Sequence, residues 1–388
     1  MKKKLILLTN RLSNSGSEQS LISFLNYLDL DRFFVTVLVL KGPDNLVGLI
    51  DSRVKISYLY KDNPYFDCGF FKGLKNIFKN KKFKAFFPLC LIRFLGLFKT
   101  KFCEHTITSL RKIAYECDET FDIALAYEYV TMKFMLNRIK AKKKIVRHNY
   151  GELVVRQKDI DMFAKCDHVI ALTPLLKNQL SEKFHIPLEK ISVIRSNFDN
   201  EAITRKSKEE IPPFKAKYNF TTVGRITELK RFDLIIDVMK GLKEKGFDIC
   251  CHIVGGTAGI IDNEIYKDKL YKYVEENHLG DVIDFVGETL NPFPYVAKSD
   301  IYLQASDFEA ASRSVIEALI LGKPTLSTDT LGGRALIRPG VTGELCPVGD
   351  RGVFEQKLIF MIENLDKYTC KSELIDNESI MEEYYKIL

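Results

Sequence analysis

Short apolar runs recur along this chain at helix-length intervals, on both sides of one polar, proline-containing stretch. In the first half the runs are Leu5–Thr9, Val35–Leu40, Val54–Tyr58, Ile123–Ala126, Lys144–Arg147, His168–Leu172 and Ile191–Ile194. Ser17–Leu28 lies between the first two, with Leu21, Ile22, Phe24, Leu25 and Leu28 on one helical face. Strands separated by connections of that length pair in parallel and give a doubly wound α/β sheet. From 201 to 213 the chain turns charged and loses its periodicity, which reads as a linker. The pattern then restarts. Strands are expected at 221–223, 249–254, 283–286, 301–303, 325–327 and 343–346, with helices over 232–243 and 264–277 between them. The expected architecture is α/β, with two Rossmann-like domains facing a central cleft. Residues 1–200 form the first domain, 201–372 the second, and 373–388 a C-terminal helix that packs back on the first. Ligands of such sheets collect at the carboxyl ends of the strands.

Composition narrows the class. Of 388 residues 46% are apolar and 28% charged, as in a globular protein. After Met1-Lys2-Lys3-Lys4 only Leu5–Leu8 is apolar, too short for a signal-peptide core. The run from Ala85 to Ile92 contains a proline and falls far short of the roughly 20 residues needed to span a bilayer. The nine cysteines show no CxxC spacing and the six histidines no HExxH, so buried free thiols and no metal site are expected. A cytoplasmic location follows.

The net charge of +7 is unevenly spread. No acid lies between Asp67 and Glu104, while Lys72, Lys75, Lys79, Lys81, Lys82, Lys84, Arg93, Lys99 and Lys101 do. Phe70, Phe71, Phe78, Phe83, Phe86, Phe87, Phe94, Phe98 and Phe102 alternate with them. A basic, Phe-rich stretch over 70–102 predicts peripheral attachment to an anionic membrane surface, at the inner face of the plasma membrane. The bland alternative is a solvated basic face over an ordinary core contact.

The stretch Asp307–Pro324, DFEAASRSVIEALILGKP, carries two glutamates eight positions apart. Glu309 is expected in a loop and Glu317 on a helix beginning near Ala311 or Ser312. Unpaired N–H groups at that helix start suit a diphosphate, and Ala310, Ala311 and Ser312 are small enough to let it approach. Glu317 could accept both hydroxyls of a ribose. Glu309 would face the sugar beyond the diphosphate. Upstream, Gly224-Arg225 and Lys230 follow an expected strand, where a planar fork and a compact charge can converge on one anion.

These two stretches resemble glycosyltransferase family 4. GRITELKRFDLIIDV resembles its donor-phosphate loop, and EAASRSVIE with ALILGKP its paired-glutamate motif. Ile253–Gly256, Asp284–Gly287, Ala297–Leu303 and Gly340–Gly343 fall where the family has comparable segments, so the resemblance runs from about Thr221 to Pro347. The first half resembles it more loosely, at Asn14–Gln19, Arg147-His148-Asn149 and Ser196–Asp199. The resemblance implies the GT-B type of fold and retaining sugar transfer without an obligatory metal or cofactor. It implies catalytic roles for Arg225, Lys230, Glu309 and His148, and donor-binding roles for Gly16, Gly224, Val286, Ala311, Ser312, Arg313 and Glu317. The implied partners are a nucleotide-sugar donor and a lipid-linked or saccharide acceptor, with a UDP-sugar favoured and no nucleic acid. The chain lacks the acid that the family often carries near Ala335, which bears on sugar choice, and it has no tryptophan for acceptor stacking. A sugar-nucleotide 2-epimerase would share the two sheets but need more carboxylates in the cleft. A basic nucleic-acid-binding protein would leave the glutamate motif unexplained.

Overall fold

The computed structural model describes the chain apart from residues 1, 14, 43, 60, 62–69, 81–82, 96–105, 108, 113–114, 116, 118, 150–152 and 369–374. Asn14, Lys81, Lys82, Phe98, Lys99, Lys101 and Phe102, singled out above, lie outside the described residues, as do the side chains of Lys84 and Arg93.

The first sheet has seven parallel strands, β1 (Lys3–Thr9), β2 (Phe33–Val39), β3 (Lys55–Tyr58), β4 (Thr120–Ala126), β5 (Lys140–His148), β6 (His168–Ala171) and β7 (Ile191–Val193), in the order β3-β2-β1-β4-β5-β6-β7. The helices along this half are α1 (Gly16–Tyr27), α2 (Phe70–Lys79), α3 (Phe86–Leu95), α4 (Met132–Arg138), α5 (Gln157–Ala164) and α6 (Pro174–Phe184). Runs such as Leu5–Leu8 are apolar throughout because helices cover both faces of the sheet. Leu5 and Leu7 pack with Phe24 of α1 on one face, and Ile6 and Leu8 with Met135 of α4 on the other.

The stretch expected as a linker with little periodicity begins with a helix, α7 (Asn200–Lys206). Asp199 caps it, accepting from the Ala202 N–H at 2.8 Å, and Ile203 packs on Phe198, Ile316 and Ile320. The cap and the buried apolar side chain, with Asn200 bonded to the Ile375 backbone and Asn291 to the Lys206 carbonyl, order a segment rich in charge.

The second sheet has six parallel strands, β8 (Tyr218–Val223), β9 (Ile249–Val254), β10 (Ile283–Gly287), β11 (Ile301–Gln304), β12 (Thr325–Thr328) and β13 (Gly343–Cys346), in the order β10-β9-β8-β11-β12-β13. Its helices are α8 (Phe232–Glu244), α9 (Ile261–Glu276), α10 (Phe293–Lys298), α11 (Arg313–Ile320), α12 (Leu331–Leu336) and α13 (Arg351–Glu363). The last helix, α14 (Asn377–Ile387), returns to the first sheet, where Ile380, Met381, Tyr384 and Ile387 join the core around Phe24 and Tyr127. Asn377 holds that return, accepting from the Phe198 N–H at 3.1 Å and donating to its carbonyl at 2.7 Å.

The described cysteines are free thiols, with Cys166, Cys251 and Cys346 buried. Burial pushes the Cys166 thiol up to about 12. None of the described helices is long and apolar enough to cross a membrane.

In each sheet the strand order reverses once, between β1 and β4 and between β8 and β11. The crevice at the carboxyl end of such a reversal is where open α/β sheets bind ligands. Here the two crevices face one another: Gly16, just after β1, packs against Arg313, just after β11, and Ala310 joins the first-domain cluster of Leu8 and Ala171.

Candidate active site

The loop after β8 is shaped by its neighbour strands. Gly224 donates to the Val254 carbonyl at 3.0 Å and Ile226 to that of Gly256 at 2.9 Å. Between them Gly255 has φ +149°, and a Cβ there would lie 1.9 Å from the Gly224 carbonyl oxygen. Only glycine permits that approach. The Gly255 N–H reaches the Gly287 carbonyl at 2.8 Å, which brings the end of β10, with half-buried Val286, beside the same loop. Arg225 is exposed at the cleft. The next turn ends at Lys230, whose ammonium pairs with Glu309.

Glu309 is held from several sides. Its Oε1 also accepts from Ser306 Oγ at 3.1 Å and Gln304 Nε2 at 3.4 Å. Its carbonyl accepts from the Gly332 N–H of α12 at 2.8 Å. A Cβ on Gly332 would come within 3.1 Å of the Ala310–Ala311 backbone, so this glycine lets α12 lie directly against the loop. Asp307 N–H donates to the Leu229 carbonyl at 2.9 Å, tying the two motif loops together. The sequence motifs thus meet at one place, the switch point of the second sheet.

Ser312 occupies the N-cap position of α11, but its side chain does not cap the helix. Its hydroxyl accepts from Gln304 Nε2 at 2.6 Å instead. The first-turn N–H groups of α11 are therefore left to another acceptor, as an anion-binding helix start requires. One turn further, Glu317 pairs with Arg313 at 3.0 Å. Burial pushes the Glu317 carboxyl up, and the Arg313 charge and hydrogen bond oppose that shift. Arg313 itself is directed into the first domain and bonded there to protein groups.

Across the cleft, Gly16 opens α1. Behind it lie two buried carboxylates that sequence reasoning did not single out. Glu18 accepts from the Ser15 N–H at 3.0 Å and from the Ser15 hydroxyl. Glu128, just past β4, accepts from the Asn10 N–H and Ser17 Oγ, each at 2.7 Å. Burial pushes the Glu18 carboxyl up; Glu128 adds to that shift, while the charge of Arg225 on the opposite domain opposes it. The spacing Ser15-Gly16-Ser17-Glu18 is a legible capping box. Glu128 has no local signal at all.

His148 ends β5 as expected, yet it is 2% exposed and lies among first-domain rings, 5.0 Å from Tyr129 and 6.1 Å from Phe163. It lines a cavity of about 570 Å³ walled by Tyr129, Leu153, Met162 and Phe184, with Lys133 and Arg156 among its cations. That cavity is built from first-domain residues alone.

The architecture is that of two Rossmann-like domains across a cleft, the GT-B fold. The chain aligns along 99% of its length, and 98% of the other's, with the solved Anabaena Alr3699/HepE in complex with UDP and glucose, at a TM-score of 0.69 and 14% identity. Residues 204–372 match the family model described as glycosyl transferases group 1, so the second half carries a glycosyltransferase domain. Among curated proteins, an N-acetylgalactosamine-N,N'-diacetylbacillosaminyl-diphospho-undecaprenol 4-alpha-N-acetylgalactosaminyltransferase of Campylobacter jejuni is 27% identical over 56% of this chain and 57% of its own length. A putative colanic acid biosynthesis glycosyltransferase, WcaL, of Escherichia coli is 26% identical over 51% of this chain and 48% of its own. The chain thus spans about half the length of the curated relatives it matches.

Proposed function

We propose that the protein is a retaining glycosyltransferase that moves a sugar from a nucleoside-diphosphate donor to a lipid-linked or saccharide acceptor in surface polysaccharide synthesis. The observation that carries this reading is the Lys230–Glu309 pair at the second sheet's switch point, beside a helix start whose capping side chain is turned away. Arg225, Lys230 and the α11 N-terminus would take up the charge that develops on the leaving diphosphate. That electrostatic work requires no metal in this reading. Glu317 would hold the ribose with the oxygen turned from Arg313, and Glu309 would lie beside the transferring sugar. Gly16, Gly224, Val286, Ala311 and Ser312 would shape the walls around the donor. The bond from the anomeric carbon to the diphosphate oxygen breaks, and the acceptor oxygen bonds to the same face. The acceptor's hydroxyl proton passes to the leaving phosphate.

The UDP in the Anabaena neighbour supports a UDP-sugar, and the lipid diphosphate in the Campylobacter relative's name supports a lipid-linked acceptor. A thermal-shift screen of UDP-, GDP- and ADP-sugars tests the donor. At a ligand concentration a thousandfold above its Kd, the true donor stabilises the fold by about 4 kcal/mol. A screen in which none of them raises the melting temperature refutes the donor site. The buried pair Glu18 and Glu128 keeps a second reading alive, since a sugar-nucleotide epimerase would need extra cleft carboxylates. Product analysis without acceptor decides: an epimerised nucleotide sugar favours that enzyme, an unchanged one favours transfer.

The membrane reading rests on α2 and α3. Ile77, Ala85, Leu89 and Ile92 form a small core between them, while Phe70, Phe71, Phe78, Phe83, Phe86, Phe87 and Phe94 are exposed, Phe71 by 83%. Lys72, Lys75 and Lys79 sit on the same helix as Phe70, Phe71 and Phe78. We place this face on the inner leaflet of the plasma membrane, each cation contributing about 1 kcal/mol near anionic lipid. Sedimentation with vesicles of phosphatidylglycerol and phosphatidylcholine is expected to pull the protein down at low salt. Charge reversal at Lys72, Lys75 and Lys79 should abolish this. A wild-type protein that stays in the supernatant makes the face an ordinary basic surface.

A further inference from the structure

Arg313 sits at the first position of α11, where a donor-binding cation would point towards the phosphates. It does not. Its Nε pairs with Glu317 Oε1 at 3.0 Å. Its Nη1 donates to the Asn197 carbonyl at 3.3 Å, its Nη2 to Ser23 Oγ at 3.4 Å, and the guanidinium lies over the Phe198 ring at 4.1 Å. Ser23 belongs to α1 of the first domain, and Asn197 and Phe198 to the segment leaving β7. α1 lies close by at Gly16, where a Cβ would be in ordinary contact with Arg313 Cβ at 3.8 Å. One side chain therefore touches the paired-glutamate helix, the first helix of the opposite domain and the crossing segment together.

Resting on the donor reading above, we infer that Arg313 is a positioning residue that couples donor binding to closure of the two domains. A buried ion pair is tolerated when the remaining N–H groups are bonded as well. Here those bonds are supplied from the first domain and the crossing segment. With the halves together, the guanidinium is fixed by Ser23, Asn197 and Phe198, and it in turn fixes the Glu317 carboxylate. With the halves apart, the Ser23 bond is lost and Glu317 is free to turn with its partner. Donor affinity then depends on a hydroxyl of α1 that acts through Arg313 and Glu317.

The test uses UDP as probe, with affinity from calorimetry and closure from the radius of gyration in small-angle scattering. Wild-type protein is expected to bind UDP and contract. Ser23→Ala should weaken UDP binding by about threefold to tenfold, the worth of one hydrogen bond, and reduce the contraction. Ser23→Thr, which keeps the hydroxyl, should restore both. Arg313→Lys keeps the charge beside Glu317 but loses the fork, and should weaken binding by about tenfold or more. In the double variant Arg313→Lys, Ser23→Ala the loss should match that of Arg313→Lys alone. Wild-type UDP affinity in Ser23→Ala overturns the inference even if Arg313→Lys fails to fold. Fully additive losses overturn it too. If the wild-type protein itself ignores UDP, GDP and ADP, the donor reading falls and takes this coupling with it.

Discussion

Lys230→Ala is expected to lower kcat by ~10²–10³, the usual cost of removing one donor to charge that develops in a transition state. The structure adds a second reason for a large effect. Lys230 pairs with Glu309, whose side chain is only 14% exposed and also accepts from Ser306 and Gln304. Without the ammonium, Glu309 keeps its Ser306 and Gln304 hydrogen bonds but remains a negative charge without its cation, close to where another anion must bind. Donor binding and turnover therefore both suffer. Stability should change little, because Lys230 is at the cleft and the loop keeps its other ties through Gly332 and Asp307. Turnover is measured with whichever nucleotide sugar stabilises the wild-type protein. A rate near wild type, in a variant with an unchanged melting temperature, removes Lys230 from the leaving-group site.

The two sheets were legible because central parallel strands covered on both faces read as near-continuous apolar runs, as at Leu5–Leu8, and few other elements leave so plain a mark. Helix α7 was not, since its order comes from Asp199 and Ile203 within a charged run, and averaging over that run hides both. The paired glutamates and the Arg225–Lys230 stretch could be read locally, and the strand-order reversal explains why they meet. What sequence could not supply is tertiary. Arg313 and Glu317 have the spacing of a helix ion pair, but nothing local announces Ser23, 290 residues away, as the partner of the same guanidinium. His148 stands at its strand end as expected, and its neighbours Tyr129 and Phe163 come from separate elements. Glu128 is a lone acid after a strand, and its pairing with the Asn10 N–H depends on β1 and β4 lying side by side.

Glu317→Ala is expected to be the most destabilising of these changes, at ~3–5 kcal/mol, because it strands the buried Arg313 charge without its partner. Burial disfavours the charged form of both side chains, lowering the Arg313 pKa and raising that of Glu317; their mutual attraction and hydrogen bond oppose it, with Tyr127 adding to that opposition at Arg313. Removing one partner leaves the penalty and deletes the compensation. Removing both does not: Arg313→Met with Glu317→Leu fills a similar volume without charge, and should recover most of the lost stability. Urea unfolding of the two variants reads this directly. The pair also separates structure from function. If Glu317 holds the donor's ribose, UDP affinity stays low in the double variant although the fold has recovered. If the double variant binds UDP as the wild-type protein does, Glu317 is a structural carboxylate and the ribose is held by other residues.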